Sequence, residues 1–201
     1  MTDQLETSDQ RLIKGARTRA LIAHRAAEVA SAEGLTGLSL GRLAADLGMS
    51  KSGVATLFGT KENLQLAAVH EAREVFIANV IDPARGEPRG IARLRAIVDH
   101  WFAYTAEPVL PGGCFRVATT AEYDSRSGPV HDAIKKDGDD WLGYLEKQIR
   151  DAQAEGLLGS VDAHALAFQL DALVSAATTG MQMGDPTALS TARGLIDQLI
   201  G

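Results

Sequence analysis

Residues Leu38–Leu64 read LSLGRLAADLGMSKSGVATLFGTKENL and spell a short helix, a tight turn, a second short helix and the start of a third. Leu40, Leu43, Ala44 and Leu47 fall on one face at helical spacing, and Ser39 stands at the N-cap position. Gly48 follows the last apolar position, where a chain leaving a helix often needs positive φ. Beyond Met49, Ser50 can cap a new helix that carries Val54, Leu57 and Phe58 inward. Two helices joined by a turn of about four residues, with Gly in it, make a helix-turn-helix.

The flanks supply the rest of a small core. Upstream, residues 1–15 read as a flexible polar tail, in which Asp9 and Gln10 lead into the basic run RLIKGARTR. A first helix is expected from Ala16 or Thr18 to about Glu33, with Leu21, Ile22, Ala26, Val29 and Ala30 as its apolar stripe and Gly34 as its stop. Downstream, Phe58-Gly59-Thr60 breaks the chain again. Thr60 then caps a long helix from Lys61 to about Asn79, with Leu64, Ala67, Ala68, Val75 and Phe76 on its inner side.

Composition narrows the class. At 201 residues, with 45% hydrophobic residues and a mean hydropathy of -0.04, the chain has the material for a buried core. Its single cysteine, Cys114, leaves no internal disulfide framework and fits a reducing compartment. The acidic, polar start lacks a signal-peptide core, and no apolar run approaches the ~18 residues of a membrane span, so a soluble cytoplasmic protein is expected. The net charge of -6 is unevenly spread: residues 11–64 hold eight basic against four acidic side chains, a balance of +4. The first ten residues carry -3 and residues 65–201 carry -7. A basic N-terminal third on an acidic body is the charge pattern of a DNA reader with a separate non-DNA domain.

The segment from Arg17 to Leu64 resembles the DNA-binding domain of the TetR/AcrR family of bacterial transcriptional regulators. The residues that carry the likeness are the run Ala44-Ala45-Asp46-Leu47-Gly48-Met49-Ser50-Lys51 and the run Leu57-Phe58-Gly59-Thr60-Lys61-Glu62-Asn63-Leu64. Together they give a Ser-Lys opening of the recognition helix, an aromatic at its close and a Lys-Glu opening of the fourth helix. In one respect the sequence departs from the family: Ala55 and Thr56 stand where many members have Tyr followed by His or Arg. Base reading then falls to the hydroxyls of Ser50, Ser52 and Thr56, the methyl of Ala55 and the close backbone approach that Gly53 permits. Lys51 and Lys61, beside the free helix amides at Ser39 and Thr60, are the main phosphate candidates, with Arg42, Arg17 and Arg19 as secondary ones. Ser39, Ser50 and Thr60 also serve as plain N-caps, a role compatible with DNA contact.

After about Asp82 the sequence supplies architecture. Helical periodicity runs through IARLRAIVDHWFAYTA, CFRVATTAEY, PVHDAIKKDGDDWLGYLEKQIRDAQAEG, DAHALAFQLDALVSAATTGMQM and TALSTARGLIDQLI, separated by Gly- and Pro-containing breaks. No strand alternation competes. The expected fold is all-α, with about nine helices: the tail over 1–15, a helix-turn-helix domain over 16–62 and a helical effector-binding and dimerisation domain over 63–201.

The resemblance implies that the last two helices pair with their copies in a homodimer, through Leu166, Leu170, Leu173, Val174, Ala177, Leu195 and Leu199; in a monomer the same residues serve as core. Such a dimer suits a palindromic double-stranded DNA operator. Trp101, Phe102, Tyr104, Phe115, Tyr123, Trp141 and Tyr144, with Cys114, stand as lining for a small apolar or aromatic effector, and equally as ordinary core. Cys114 is open to two readings, an oxidant-sensing thiol and a plain buried one. His100, His131, His164 and Cys114 lack metal-ligand spacing, and no cofactor motif is present. No G-x-S-x-G, H-E-x-x-H, phosphate-cradling glycine loop or C-x-x-C points to an enzyme. The resemblance implies a ligand-responsive regulator, chiefly a repressor, whose effector tilts the long helix beginning at Lys61.

Overall fold

The computed structural model describes residues 2–201, with the side chains of 2–9, 11 and 12 left aside. Among the described residues the chain is all-α, in nine helices without a strand. The head comprises α1 (Thr2–Glu33), α2 (Leu40–Asp46), α3 (Lys51–Phe58) and the first turns of α4 (Lys61–Phe76). α1 starts well before the expected Ala16. No proline interrupts residues 2–33, and Gly15 alone costs a helix only about 1 kcal/mol. Its inward stripe begins, as expected, near Ile22, which is fully buried.

The turn between α2 and α3 is built as the sequence requires. Gly48 has φ 62°, the left-handed conformation that closes a helix cheaply only with glycine. Met49 N–H then donates to Ala44 C=O at 2.8 Å and Gly48 N–H to Ala45 C=O at 3.2 Å, which satisfies carbonyls at the end of α2. Leu43, Ala44, Val54 and Phe58 close down on Ile22, Ala26, Val29 and Ala30 of α1 and on Leu64 and Ala68 of α4. Small alanines on α1 and α4 let these two helices run close together.

α4 does not stop at Phe76. It continues as a π-helical segment, Ile77–Ile81, and a final turn, Asp82–Ala84. Pro83 has no N–H, and its ring crowds the carbonyl four residues back; a widened turn at that point accommodates both. The body follows as α5 (Ile91–Ala106), α6 (Phe115–Tyr123), α7 (Pro129–Ala154), α8 (Ala163–Gln182) and α9 (Ala188–Ile200). Its core is aromatic at the α4 end: Phe76, Trp101 and Trp141 meet edge to face, with Trp101 and Trp141 ring centroids 4.9 Å apart. Elsewhere it is aliphatic, through Leu94, Ile97, Leu145, Ile149, Leu170 and Ile196. α6, like the first turns of α7 with Val130 and Ile134, departs from this pattern. Phe115 and Tyr123 pack into the head's core, so this short helix spans both regions.

Candidate DNA-binding surface and effector pocket

The three hydroxyls read as caps are caps. Ser39 accepts from Arg42 N–H at 3.1 Å, Ser50 from Gly53 N–H at 3.1 Å and Thr60 from Asn63 N–H at 3.1 Å. On α3, Lys51, Ser52 and Thr56 are exposed, Gly53 and Ala55 half-buried. Thr56 Oγ1 donates to Ser52 C=O at 2.8 Å, while Ser52 Oγ leans on Ser50 Oγ at 3.3 Å. The head uses most of its basic side chains on itself. Arg19 donates to Leu57 C=O and lies over the Phe58 ring, 4.4 Å from its centroid. Arg25 bridges Asp46 and Glu28, against the solvated face that a lone helix position suggests. Arg42 forms a two-pronged pair with Glu33, with Nη2 to Oε1 at 2.6 Å. Lys61 Nζ donates to Thr36 C=O at 2.5 Å, tying the start of α4 to the turn before α2. Lys51 makes no ion pair or side-chain hydrogen bond among the described residues.

The head is latched to the body at that same turn. Glu122, near the end of α6, accepts from Leu35 N–H at 2.7 Å and Thr36 N–H at 2.8 Å. Burial pushes its carboxyl up, but the hydrogen bonds from Thr36 and Leu35 outweigh it and hold the group below the ordinary glutamate range. Gln65 of α4 donates to Leu35 C=O at 2.8 Å from a buried position. Gly112 presses on the end of α1, its N–H donating to Ser31 Oγ at 3.0 Å. Nothing local in the sequence marks this latch, because Glu122 and Leu35 lie 87 residues apart.

Between α4, α6 and α7 lies a cleft of about 200 Å³ walled by Phe76, Ile77, Ile81, Trp141 and Tyr144, with Arg73, Arg85, Arg116, Asp137 and Asp140 as its charged groups. A smaller recess adjoins it at Tyr104, Cys114 and Phe115, and a cleft of about 340 Å³ opens on the far side of Arg116 toward Asp171 and Ser175. Of the aromatics named from sequence, Tyr104, Phe115, Trp141 and Tyr144 face these spaces, as does the buried Cys114. Trp101 is sealed in the core behind them, Phe102 lies under Arg193, and Tyr123 belongs to the head's core. Burial drives the Tyr104 phenol well above its ordinary range, so it stays neutral. Sequence reasoning missed most of the cleft wall in that role, Phe76 and Arg116 above all. Phe76 was legible only as an inward position of α4, and Arg116 only as one charge on a short helix.

On the last two helices, Leu166, Leu170, Val174 and Ala177 are buried within the chain itself. Leu173 and Leu199 are half-buried and Leu195 is 43% exposed. These three line an open apolar groove with Phe168, which is 61% exposed, Ala172, Gln169 and Gln198. Among the described residues no helix is long and apolar enough to cross a membrane, and no cluster of His, Cys, Asp and Glu could hold a metal ion.

A helix-turn-helix head sharing one long helix with a cavity-bearing helical body defines a DNA-binding transcription regulator. Residues 90–196, more than half of the chain, match the family described as "Tetracyclin repressor-like, C-terminal domain". The chain belongs to the TetR family of transcriptional regulators, which are DNA-binding factors and not enzymes. Among solved structures it is similar to a TetR transcriptional regulator from Chloroflexus aurantiacus J-10-FL, at 25% identity and a TM-score of 0.80, over 92% of this chain and 94% of that one. It is similar in fold to AibR, solved in complex with isovaleryl coenzyme A and operator DNA, at 22% identity and a TM-score of 0.70, over 90% and 98% of the two chains. It is also similar in fold to a putative transcriptional regulator from Saccharomonospora viridis in complex with choline, at 18% identity and a TM-score of 0.79, over 92% and 96%. Among functionally curated proteins none matches.

Proposed function

We propose that the chain is a homodimeric, cytoplasmic repressor, released from a palindromic operator when a small molecule enters the cleft beside Arg116. In this reading residues 16–62 form the DNA-binding domain, preceded by the segment 1–15, and residues 63–201 form the effector and dimerisation domain. The observation that carries it is the double attachment of head to cleft. Phe76 and Arg73 of α4 and Arg116 of α6 wall the cleft, while Lys61 of α4 and Glu122 of α6 both bind the Leu35–Thr36 turn of the head. A ligand that spreads α4 from α6 therefore acts on the head through both. The shift it produces is bounded by its differential affinity for the two arrangements.

The roles in DNA recognition follow from exposure. Lys51 offers an uncommitted ammonium at the start of α3, and Lys61 keeps donors to spare beside its Thr36 contact. Ser50, Ser52, Gly53, Ala55 and Thr56 face the groove. Ser39 contributes at the start of α2, and Arg42 does so at the expense of its Glu33 pair. A second copy of the chain covers the groove at Phe168, Leu173, Leu195 and Leu199, since so large an apolar face is costly in water. Two-fold pairing places two α3 helices for half-sites about one DNA turn, roughly 34–36 Å, apart or a multiple of it. Neighbours in the fold solved with operator DNA and with small ligands support the same reading.

The decisive measurement is binding of the purified protein to the DNA upstream of its own gene at two salt concentrations, against non-specific DNA. Salt-sensitive, sequence-selective binding by two copies per site is expected. Failure to select any sequence from a genomic DNA pool, by a protein shown to be folded, would remove the repressor reading.

A further inference from the structure

The three guanidinium groups that wall the cleft are not equally satisfied. Arg73 is clamped by Asp137 at 2.9 Å and Asp140 at 3.0 Å, and Arg85 pairs with Asp82 at 2.8 Å. Arg116 has only 14% of its side chain exposed, yet it makes no hydrogen bond among the described residues. Its ion-pair partner, Asp171 Oδ1, stands 3.7 Å away, near enough for Coulomb attraction but beyond hydrogen-bond reach. That oxygen also accepts the Trp141 Nε1–H, at 2.9 Å. What holds Arg116 is its place between two rings: the guanidinium carbon sits 5.0 Å from the Phe76 ring centroid and 5.1 Å from that of Trp141. These ring contacts use none of its five N–H donors, and the side chain borders all three cavities. A largely covered guanidinium with no protein acceptor on its donors is ready to take an anionic acceptor from a ligand in the cleft.

We propose that the effector is a small organic carboxylate on an apolar chain or ring. Its carboxylate takes the two-pronged edge of Arg116, and its apolar part lies along Ile77, Ile81 and Tyr144. This rests on the effector-released repressor reading and adds the chemical class of the ligand. A planar fork matches a carboxylate in a way that neither an amide nor an alcohol reproduces. A cationic effector is disfavoured on the same residues. The aromatic faces that would cage it already hold Arg116, and Arg73 and Lys136 together already neutralise Asp137 and Asp140. The cleft of about 200 Å³ sets the scale at a medium-chain or single-ring acid.

The test titrates the full-length protein, at constant ionic strength, with straight-chain acids from butanoate to decanoate and with 3-phenylpropionate, each beside its primary amide. Tryptophan fluorescence is the readout, since Trp141 touches Arg116 and would report its occupancy. At least one acid should bind about tenfold or more tightly than its amide. Arg116→Gln should abolish that preference while its helical circular dichroism and operator binding stay intact. Asp171→Asn removes the nearest competing carboxylate and should tighten the acid alone. Equal binding of acid and amide, no binding anywhere in the series, or a preference that survives Arg116→Gln would overturn the proposal. Operator release measured in parallel separates the two readings. Acids that bind through Arg116 without releasing DNA would sink the repressor reading and leave the ligand class standing, whereas release driven equally by amides would do the reverse.

Discussion

The head and the body of this protein solve opposite problems with the same secondary structure. The head is small, poor in aromatics and tied together by specific polar links. Arg19 closes the end of α3, Arg25 joins α1 to α2, and Arg42 and Lys61 both hold the connection between α1 and α2. Beside the cleft the body is held by edge-to-face aromatics that leave space between them and leave a guanidinium without a hydrogen-bonded partner. This contrast lets a signal cross from one to the other. A head so bound to itself moves as one piece, and the adjustable packing lies where a ligand can reach it. The seam between the two, at Gly112 and Glu122, should then be where small changes cost most.

Gly112→Ala is the severest test. A methyl there would sit 2.0 Å from Ser31 O and 2.1 Å from Ser31 C, which are main-chain atoms of α1 and cannot swing aside. Overpacking of this kind costs roughly 3 kcal/mol, and for a chain of this size that lowers Tm by roughly 6–12 °C. A melting curve that does not move would mean that the head is not seated tightly on the body, and the comparison between them would lose its hinge.

Glu122→Gln comes next. The carboxylate accepts two amides at once, and a glutamine oxygen can keep only part of that, so roughly 1.5–3 kcal/mol of stability should go. The folded pKa of Glu122 lies below its ordinary value of 4.5. Its contribution is therefore complete above about pH 4.5 and is lost as pH falls through the folded value. Denaturant midpoints of the two proteins should differ at pH 7 and converge as the solution is acidified below 4.5. A gap independent of pH would show that the latch works by packing and not by charge.

How much of this was readable in advance depends on chain distance. The caps Ser39, Ser50 and Thr60 and the left-handed Gly48 are local devices, written within a few residues of what they control, and each stands where the sequence placed it. The nine helices follow from periodicity for the same reason. The start of α1 was missed because apolar spacing marks where a helix is buried, not where it begins. The pocket was half legible. Tyr104, Phe115, Trp141 and Tyr144 face it, but aromatic content alone cannot separate them from Trp101, sealed one layer deeper, or from Tyr123, which packs with the head. Arg116 and Glu122 escaped notice because their meaning lies in partners far along the chain: Phe76 and Trp141 for one, Leu35 and Thr36 for the other. On the last two helices the stripe of apolar residues mixed two faces. Leu166, Leu170, Val174 and Ala177 turn inward, and Phe168, left out of the expected contact set, is the most exposed apolar side chain of the groove.

The smallest structural effect belongs to Lys51→Ala, and it separates the two halves of the comparison most cleanly. Arg19, Arg25, Arg42 and Lys61 each hold a piece of the head, so removing any of them confuses loss of DNA contact with loss of shape. Lys51 holds nothing among the described residues, stands exposed in the first turn of α3, and opens a helix already capped by Ser50. Its removal should leave unfolding free energy within about 0.5 kcal/mol of the parent, as for other surface sites. Operator affinity should fall by roughly tenfold, and the slope of log K against log salt should become shallower by about one, as for the loss of a single phosphate contact. Non-specific DNA should weaken by a similar factor, because a phosphate contact carries no sequence information. An unchanged salt slope in a protein of unchanged stability would mean that the free ammonium points away from DNA. The approach of α3 to the groove would then have to be redrawn around Arg42, released from Glu33.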